Sequence, residues 1–237
     1  MAAVLYDSRD GIAWLTLNRP EVLNAINLQM RDELWVLLEA VALDGSVKVV
    51  VFRGAGGRAF SSGADLSEFG TAPSYTEARR ARLERDLWGR LASFEKPLIA
   101  AVHGFALGAG CELSLLCDFR IASEDARFGL PETHLAYIPT AGGSQTLPRT
   151  TGLTRALDMV LTAEPIDAHR ALDYGMVNTV VPRDQLEAVA EAFARRLVAR
   201  PQPALLATRR ALREGSDLPL ADAIRLERRL SRRLVGA

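Results

Sequence analysis

The stretch KPLIAAVHGFALGAGCELSLLCDF, residues 96–119, decides how the chain is read. A proline opens it, the apolar run from Leu98 to Val102 follows without polar alternation, and a glycine stops it. A short run of that kind suits a strand covered on both faces. Gly104, Gly108 and Gly110 then lead into CELSLLCDF, which reads as a helix with a carboxylate, Glu112, near its start. The unit is strand, glycine loop, helix, and it occurs once more upstream. VKVVVFRG (47–54) is β-branched and ends in glycine, GAGGRAFSSGADL (54–66) is its loop, and a charged helical stretch is expected from about Thr76 to Phe94.

Working outward, GIAWLTLNRP predicts a strand over residues 11–17 that ends at an Asn-Arg-Pro turn. Leu28, Leu34, Leu37, Leu38 and Val41 recur at helical spacing, which predicts an amphipathic helix from Asn27 to Leu43. FRIASEDARFGLPE (119–132) reads as two short strands joined by a polar turn, and IPTAGGSQTLPRTTG (138–152) as a third small-residue turn region. Short helices are expected at 152–162 and 167–173, a last strand in MVNTVVP (176–182), and helices at 183–200 and 203–214. The final ADAIRLERRLSRRLVGA is helical and rich in arginine. Strands mixed with helices make this an α/β chain, divided into a core over 1–182 and a helical C-terminal region over 183–237.

With 237 residues, 49% of them hydrophobic, the chain can bury a large core. Lys+Arg and Asp+Glu balance at 29 each, so no global field draws it to nucleic acid or to a membrane. The N-terminus lacks the basic and apolar regions of a secretory signal, and no apolar run approaches the roughly 18 residues of a membrane span. A soluble, cytoplasmic protein is expected. Cys111 and Cys117 lie in an apolar helical segment, unsuited to a disulfide and too few for zinc, and His103, His134 and His169 have no zinc spacing. No metal site is expected.

Glycine after a strand lets backbone approach a ligand closely, and a helix N-terminus supplies unpaired N–H groups and positive potential. Two such loops could offer two donors to one developing oxyanion, each worth ~2.7 to 4 kcal/mol in protease examples. The bland alternative is that the glycines only make tight turns. GFALGAG does not fit G-x-G-x-x-G, no Gly-Lys-Ser/Thr is present, and GGSQT is not a G-x-S-x-G elbow. Glu112 and Glu132 each suit the first turn of a helix, a purely structural role. Beside small-residue turns and apolar neighbours they could equally form a carboxyl pair raised toward neutrality, able to hold a water and exchange protons. His103 reads as a packed or capping residue; His134, two positions after Glu132, is a candidate to touch the site.

LNRPEVLNAIN, GRAFSSGADLSEF, EKPLIAAVHGFALGAGCELSLLCDFRIAS, ARFGLPETHLAYIPTAGGSQTLPR and ALDYGMVNTVVP together resemble the enoyl-CoA hydratase/isomerase (crotonase) family, in order from Tyr6 to Pro182. The resemblance implies a crotonase-like spiral of repeated β-β-α units, with a helical C-terminal region that builds trimers or dimers of trimers. It implies an enoyl-CoA hydratase adding water to a 2-trans-enoyl-CoA, with coenzyme A part of the substrate and no separate cofactor. By the same resemblance, the N–H groups of Ala64 and Ala109 form the oxyanion hole. Glu112 is then the base toward water and Glu132 the acid toward C2, and Ala25, Ser62, Gly63, Asp65, Leu66, Pro139, Thr140 and Gly142 line the substrate.

Some positions depart from the family pattern. Thr140 replaces a common glycine at a backbone N–H expected near the water, and Glu21 replaces a lysine that helps hold the CoA phosphates. After Pro182 the likeness fades. Leu87 and Trp88 are candidates for the acyl pocket or for plain core. The alternatives are an isomerase or another crotonase-type acyl-CoA enzyme and, more remotely, a non-catalytic acyl-CoA binder or an RNA binder using Arg225, Arg228, Arg229, Arg232 and Arg233. The neutral net charge argues against the RNA reading, so no nucleic-acid partner is expected.

Overall fold

The structure is a computed structural model and describes residues 1–71, 74 and 84–235. It begins with an antiparallel hairpin, β1 (Val4–Arg9) and β2 (Ile12–Leu17), turned through Asp10 and Gly11, both at positive φ. Pro20–Val22 makes a 3-10 turn, and α1 (Leu28–Leu43) starts where the Asn27 side chain accepts a hydrogen bond from Met30 N. Met30, Leu34, Leu38 and Val41 form its buried stripe.

The chain then winds, each turn giving one strand to a large sheet, one to a small sheet, and a helix outside. β3 (Val49–Gly54), β4 (Ala59–Ser61) and α2 (Leu87–Ala92) make the first turn. β5 (Leu98–Val102), β6 (Phe105–Leu107) and α3 (Ala109–Leu116) make the second. The third has β7 (Phe119–Ser123) and β8 (Arg127–Gly129), then α4 (Gly143–Thr151) and α5 (Leu153–Thr162). β9 (Ile166–Asp167), α6 (Ala168–Asp173) and β10 (Thr179–Val181) follow, and α7 (Leu186–Val198), α8 (Gln202–Gly215) and α9 (Leu220–Val235) end the chain. The large sheet has the order β1-β2-β3-β5-β7-β10 and is parallel beyond its first pair; the small sheet has the order β4-β6-β8-β9. This is the α/β spiral expected from the sequence.

The apolar runs without alternation are explained by burial on both faces of the large sheet. Val50, Phe52, Leu98, Ala100 and Val102 point into the main core, which also takes the α1 stripe. Val49, Val51, Ile99 and Ala101 point the other way, with Ile12, Trp14 and Ile121, and are covered by Leu186, Ala190 and Ala194 of α7. Burying each such large side chain contributes about 1.5–3 kcal/mol. The first long helix after residue 182 is therefore packed on the spiral itself. α8 is fastened by charge: Arg209 Nε and Arg213 Nη1 reach the two oxygens of Asp118 at 2.8 and 3.2 Å, and Asp118 also accepts from Leu98 N at 2.8 Å.

Several local expectations are corrected. β1 was not foreseen, because all but the first of its six residues are exposed and carry no alternating signal. The loops at 54–66 and 103–108 are interrupted by the three-residue strands β4 and β6. The supposed turn region 138–152 contains α4, which tolerates Pro148 in its interior. Of the helix expected over 76–94, α2 occupies Leu87–Ala92, and 76–83 lie outside the described residues. Leu87 is wholly buried in the main core, and Trp88, half-buried, packs against it. Cys111 and Cys117 are free and buried. No helix among the described residues is long and apolar enough to cross a membrane.

Candidate active site

Two loop-to-helix exits from the small sheet lie side by side because β4 and β6 are parallel neighbours. After β4, Ser61 Oγ donates to Asn24 O and accepts from Gly63 N at 3.2 Å. The segment before α1 acts as a strap: Ile26 N donates to Gly63 O at 2.8 Å, and Asp65 N donates to Ile26 O at 3.1 Å. These bonds form a parallel bridge between Ile26 and Ala64. In such a bridge the central residue's own N–H turns away from its partner, so the Ala64 N–H faces the opposite side.

The second exit is tied down by Gly108 N donating to Gly129 O at 2.9 Å. Gly108 caps α3 at φ 48°, ψ −126°, a conformation that excludes a side chain. Ala109 is the first residue of α3, so its N–H belongs to the turn that has no intrahelical acceptor. Gly63, at φ +108°, lets the exits touch: a β-carbon there would stand 2.9 Å from Leu107 O and 3.5 Å from Ala109 N.

Glu112 sits in the first turn of α3 and is 2% exposed. Its Oε1 accepts from both Ala141 N (2.8 Å) and Gly143 N (2.7 Å). Burial raises its pKa from the usual 4.5 to about 7; the Gly143 N–H opposes that rise, the nearby Glu132 charge adds to it, and the Ala141 N–H opposes it. Glu132 rides on the 3-10 turn Pro131–Leu135. Burial pushes its carboxyl up as well. Its Oε2 is buried without a hydrogen-bond partner, and its Oε1 would lie 3.0 Å from a β-carbon built on Gly108. The second acid thus reaches back to the N-terminus of the helix that carries the first. Two carboxyls whose pKa burial raises thus stand beside the helix start that the Gly63 loop touches.

Of the other expected residues, Ala25 and Pro139 are buried, Ser62 and Gly142 half-buried, and Leu66 and Thr140 exposed. Both oxygens of the Asp65 side chain are engaged within the protein: Oδ2 takes Arg19 Nη1 at 2.8 Å, and Oδ1 takes Ser67 N and Oγ. The N–H groups that seize Glu112 come from Ala141 and Gly143, which follow Thr140. Sequence reasoning missed them because nothing local distinguishes one backbone N–H from the next. Phe69 and Tyr137, from the Ala64 and Glu132 segments, meet edge to face at 5.3 Å. His103 is buried and its pKa falls to about 4, by desolvation first and then by Arg183. His134 and Glu21 are exposed. Among the described residues no group of three or more His, Cys, Asp or Glu side chains is gathered to hold a metal.

The enoyl-CoA hydratase/isomerase family model matches residues 7–235. The chain belongs to this family. Family likeness therefore continues past Pro182, where the sequence alone suggested that it fades, and takes in α7, α8 and α9. The 2,3-dehydroadipyl-CoA hydratase of Escherichia coli (strain K12) is 42% identical over 230 residues, 97% of this chain and 89% of that protein. The short-chain-enoyl-CoA hydratase of Clostridium acetobutylicum is 37% identical over 224 residues, 94% and 86% of the two chains. The crystal structure of enoyl-CoA hydratase from Bacillus anthracis superposes with a TM-score of 0.94 at 34% identity, covering 99% of this chain and 92% of that one. That crystal structure shares the α/β fold described above.

Proposed function

We propose that this member of the hydratase/isomerase family is an enoyl-CoA hydratase, adding water across the 2,3 double bond of a 2-trans-enoyl-CoA to give a 3-hydroxyacyl-CoA. The observation that carries the reading is the carboxyl pair. Glu112 is pinned through one oxygen by two N–H groups, and Glu132 presents a buried oxygen without a partner beside the same helix start. The relatives named above, hydratases of a dehydroadipyl-CoA and of short-chain enoyl-CoAs, support it.

In this reading the Ala64 and Ala109 N–H groups receive the thioester carbonyl and stabilise the enolate formed as water attacks C3. Glu112, with a pKa near 7, takes the proton of that water, and Glu132 delivers a proton to C2. A proton passing from Glu112 to Glu132 then restores both groups for the next turnover. Addition of water leaves the oxidation state of the pair of carbons unchanged, so the reaction calls for no resident cofactor. Ala25, Ser62, Gly63, Leu66, Pro139, Thr140 and Gly142 would contact the acyl-CoA. The working form would be a cytoplasmic homotrimer or dimer of trimers, built through the C-terminal helices. The exposed leucines Leu153, Leu157 and Leu161 of α5, spaced four apart on one helix face, suit contact with another subunit.

The test is loss of the conjugated enoyl-thioester absorbance of crotonyl-CoA, followed with wild type, Glu112→Gln and Glu132→Gln. Turnover that drops on the order of 10²- to 10⁴-fold in each folded variant supports the reading. Wild type that leaves crotonyl-CoA and longer 2-enoyl-CoAs untouched would refute it.

A further inference from the structure

We propose that Arg19 is a positioning residue for the oxyanion hole, acting through Ala25 and Asp65 on the Ala64 N–H. The proposal rests on the reading of that N–H as a carbonyl donor.

One nitrogen of Arg19 spans the strap and the loop at the point where they pair. Its Nη1 donates to Ala25 O at 2.7 Å and to Asp65 Oδ2 at 2.8 Å. Ala25 immediately precedes Ile26 and Asp65 immediately follows Ala64, and Ile26 and Ala64 are the two halves of the bridge. The guanidinium is therefore a staple across the bridge that orients the Ala64 peptide. Both side chains are mostly buried, at 21% and 14% exposure, so solvent screens the pair less than an ordinary surface ion pair. Asp65 is held below the usual carboxylate range, by the Ser67 hydroxyl first and by Arg19 next.

The backbone of the same residue secures the other end of the loop. Arg19 N donates to Asn24 Oδ1 at 2.9 Å. The buried Asn24 amide donates in turn to Ala55 O at 2.9 Å and to Ala59 O, the first residue of β4, at 2.8 Å. The loop from Ala55 to Asp65 is thus gripped at its entry and at its exit by groups that converge on Arg19. Nη1 spends both of its hydrogens on protein oxygens, which fixes that nitrogen to the strap and the loop.

A donor displaced from an oxyanion weakens the transition state more than the ground state, because the negative charge is fully developed only there. Arg19→Met should lower kcat on the order of 10- to 100-fold, within the loss found when a whole donor is removed, and shift KM by less than about threefold. The decisive readout is optical. An aryl-conjugated enoyl-CoA carrying an electron-donating ring substituent absorbs at longer wavelength when its thioester carbonyl is polarised. At saturation, Arg19→Met should show a smaller red shift of the bound chromophore than wild type at equal stoichiometry, and Arg19→Lys should restore part of both the shift and kcat. Asp65→Asn, which keeps the Arg19–Ala25 contact, should behave like a milder Arg19→Met and serves if the latter fails to fold. A full red shift with unchanged kcat in folded Arg19→Met or Asp65→Asn, or a loss confined to KM, would overturn the proposal. Wild type that binds the chromophore with no red shift would overturn the oxyanion reading itself, and this proposal with it.

Discussion

Replacing Glu112 by glutamine should make the fold more stable relative to wild type as pH rises. The glutamine keeps an Oε1 for the Ala141 and Gly143 N–H groups, so the local geometry is retained while the titrating proton is removed. In the folded chain Glu112 binds its proton up to about pH 7, whereas the unfolded value is near 4.5. Between those values the folded state holds more protons than the unfolded one, so wild-type stability falls as pH rises through this window. The penalty is absent below the lower value and complete above the higher one. At about 1.4 kcal/mol per pKa unit it amounts to about 3 kcal/mol when complete. A buried amide has its own cost, but that cost does not depend on pH and cancels when the same two proteins are compared at two pH values. Urea unfolding at about pH 5 and about pH 8.5 should therefore show the stability difference, glutamine minus glutamate, growing by about 2 to 3 kcal/mol. A difference that stays flat with pH, or that moves in favour of wild type, would refute the account of how this carboxyl is held.

Other consequences can be measured on the same protein. The kcat/KM of hydration should fall as pH drops below about 7, because protonated Glu112 no longer accepts a proton from water; the apparent pKa belongs to the coupled pair. Gly63→Ala should cost about 1–3 kcal/mol in backbone strain. By pushing its β-carbon against Leu107 O it should also lower kcat on the order of 10²-fold, a loss read by steady-state kinetics. Asp118→Ala leaves Arg209, Arg213 and the Leu98 N–H without their shared acceptor and should destabilise by about 3–5 kcal/mol. Limited trypsin digestion should then cut α8 near Arg209 to Arg213 faster than in wild type.

What the sequence revealed depended on range. α1 was legible because one stripe of apolar residues faces one core, and β3 and β5 because burial on both faces leaves an unbroken apolar run. β4 and β6 have three residues each, too few for any periodic signal, and they form because neighbouring turns of the spiral supply their partners. α4 hid behind its small N-terminal residues and Pro148. Within the site, Glu112 and Glu132 stood out only when several motifs were read in series, since each alone also suits a helix start. Arg19 and Asp65 are 46 positions apart, and no local pattern announces that pairing. Backbone donors such as Ala141 and Gly143 are invisible to residue type altogether.

The parallel pairing of β4 with β6 has a consequence for how such a site varies. Ala64 stands three residues beyond the end of one strand and Ala109 two beyond the end of the other, so in the proposed reading the approach of the two donors follows from the pairing of adjacent strands. A gauge of that kind is built from peptide groups and does not draw on the two acids. Acids may be moved, lost or added around it and the grip on a thioester carbonyl stays the same width. In the proposed reading, the part of the machinery that recognises the carbonyl is thereby separate from the acids that choose what happens to the neighbouring carbons.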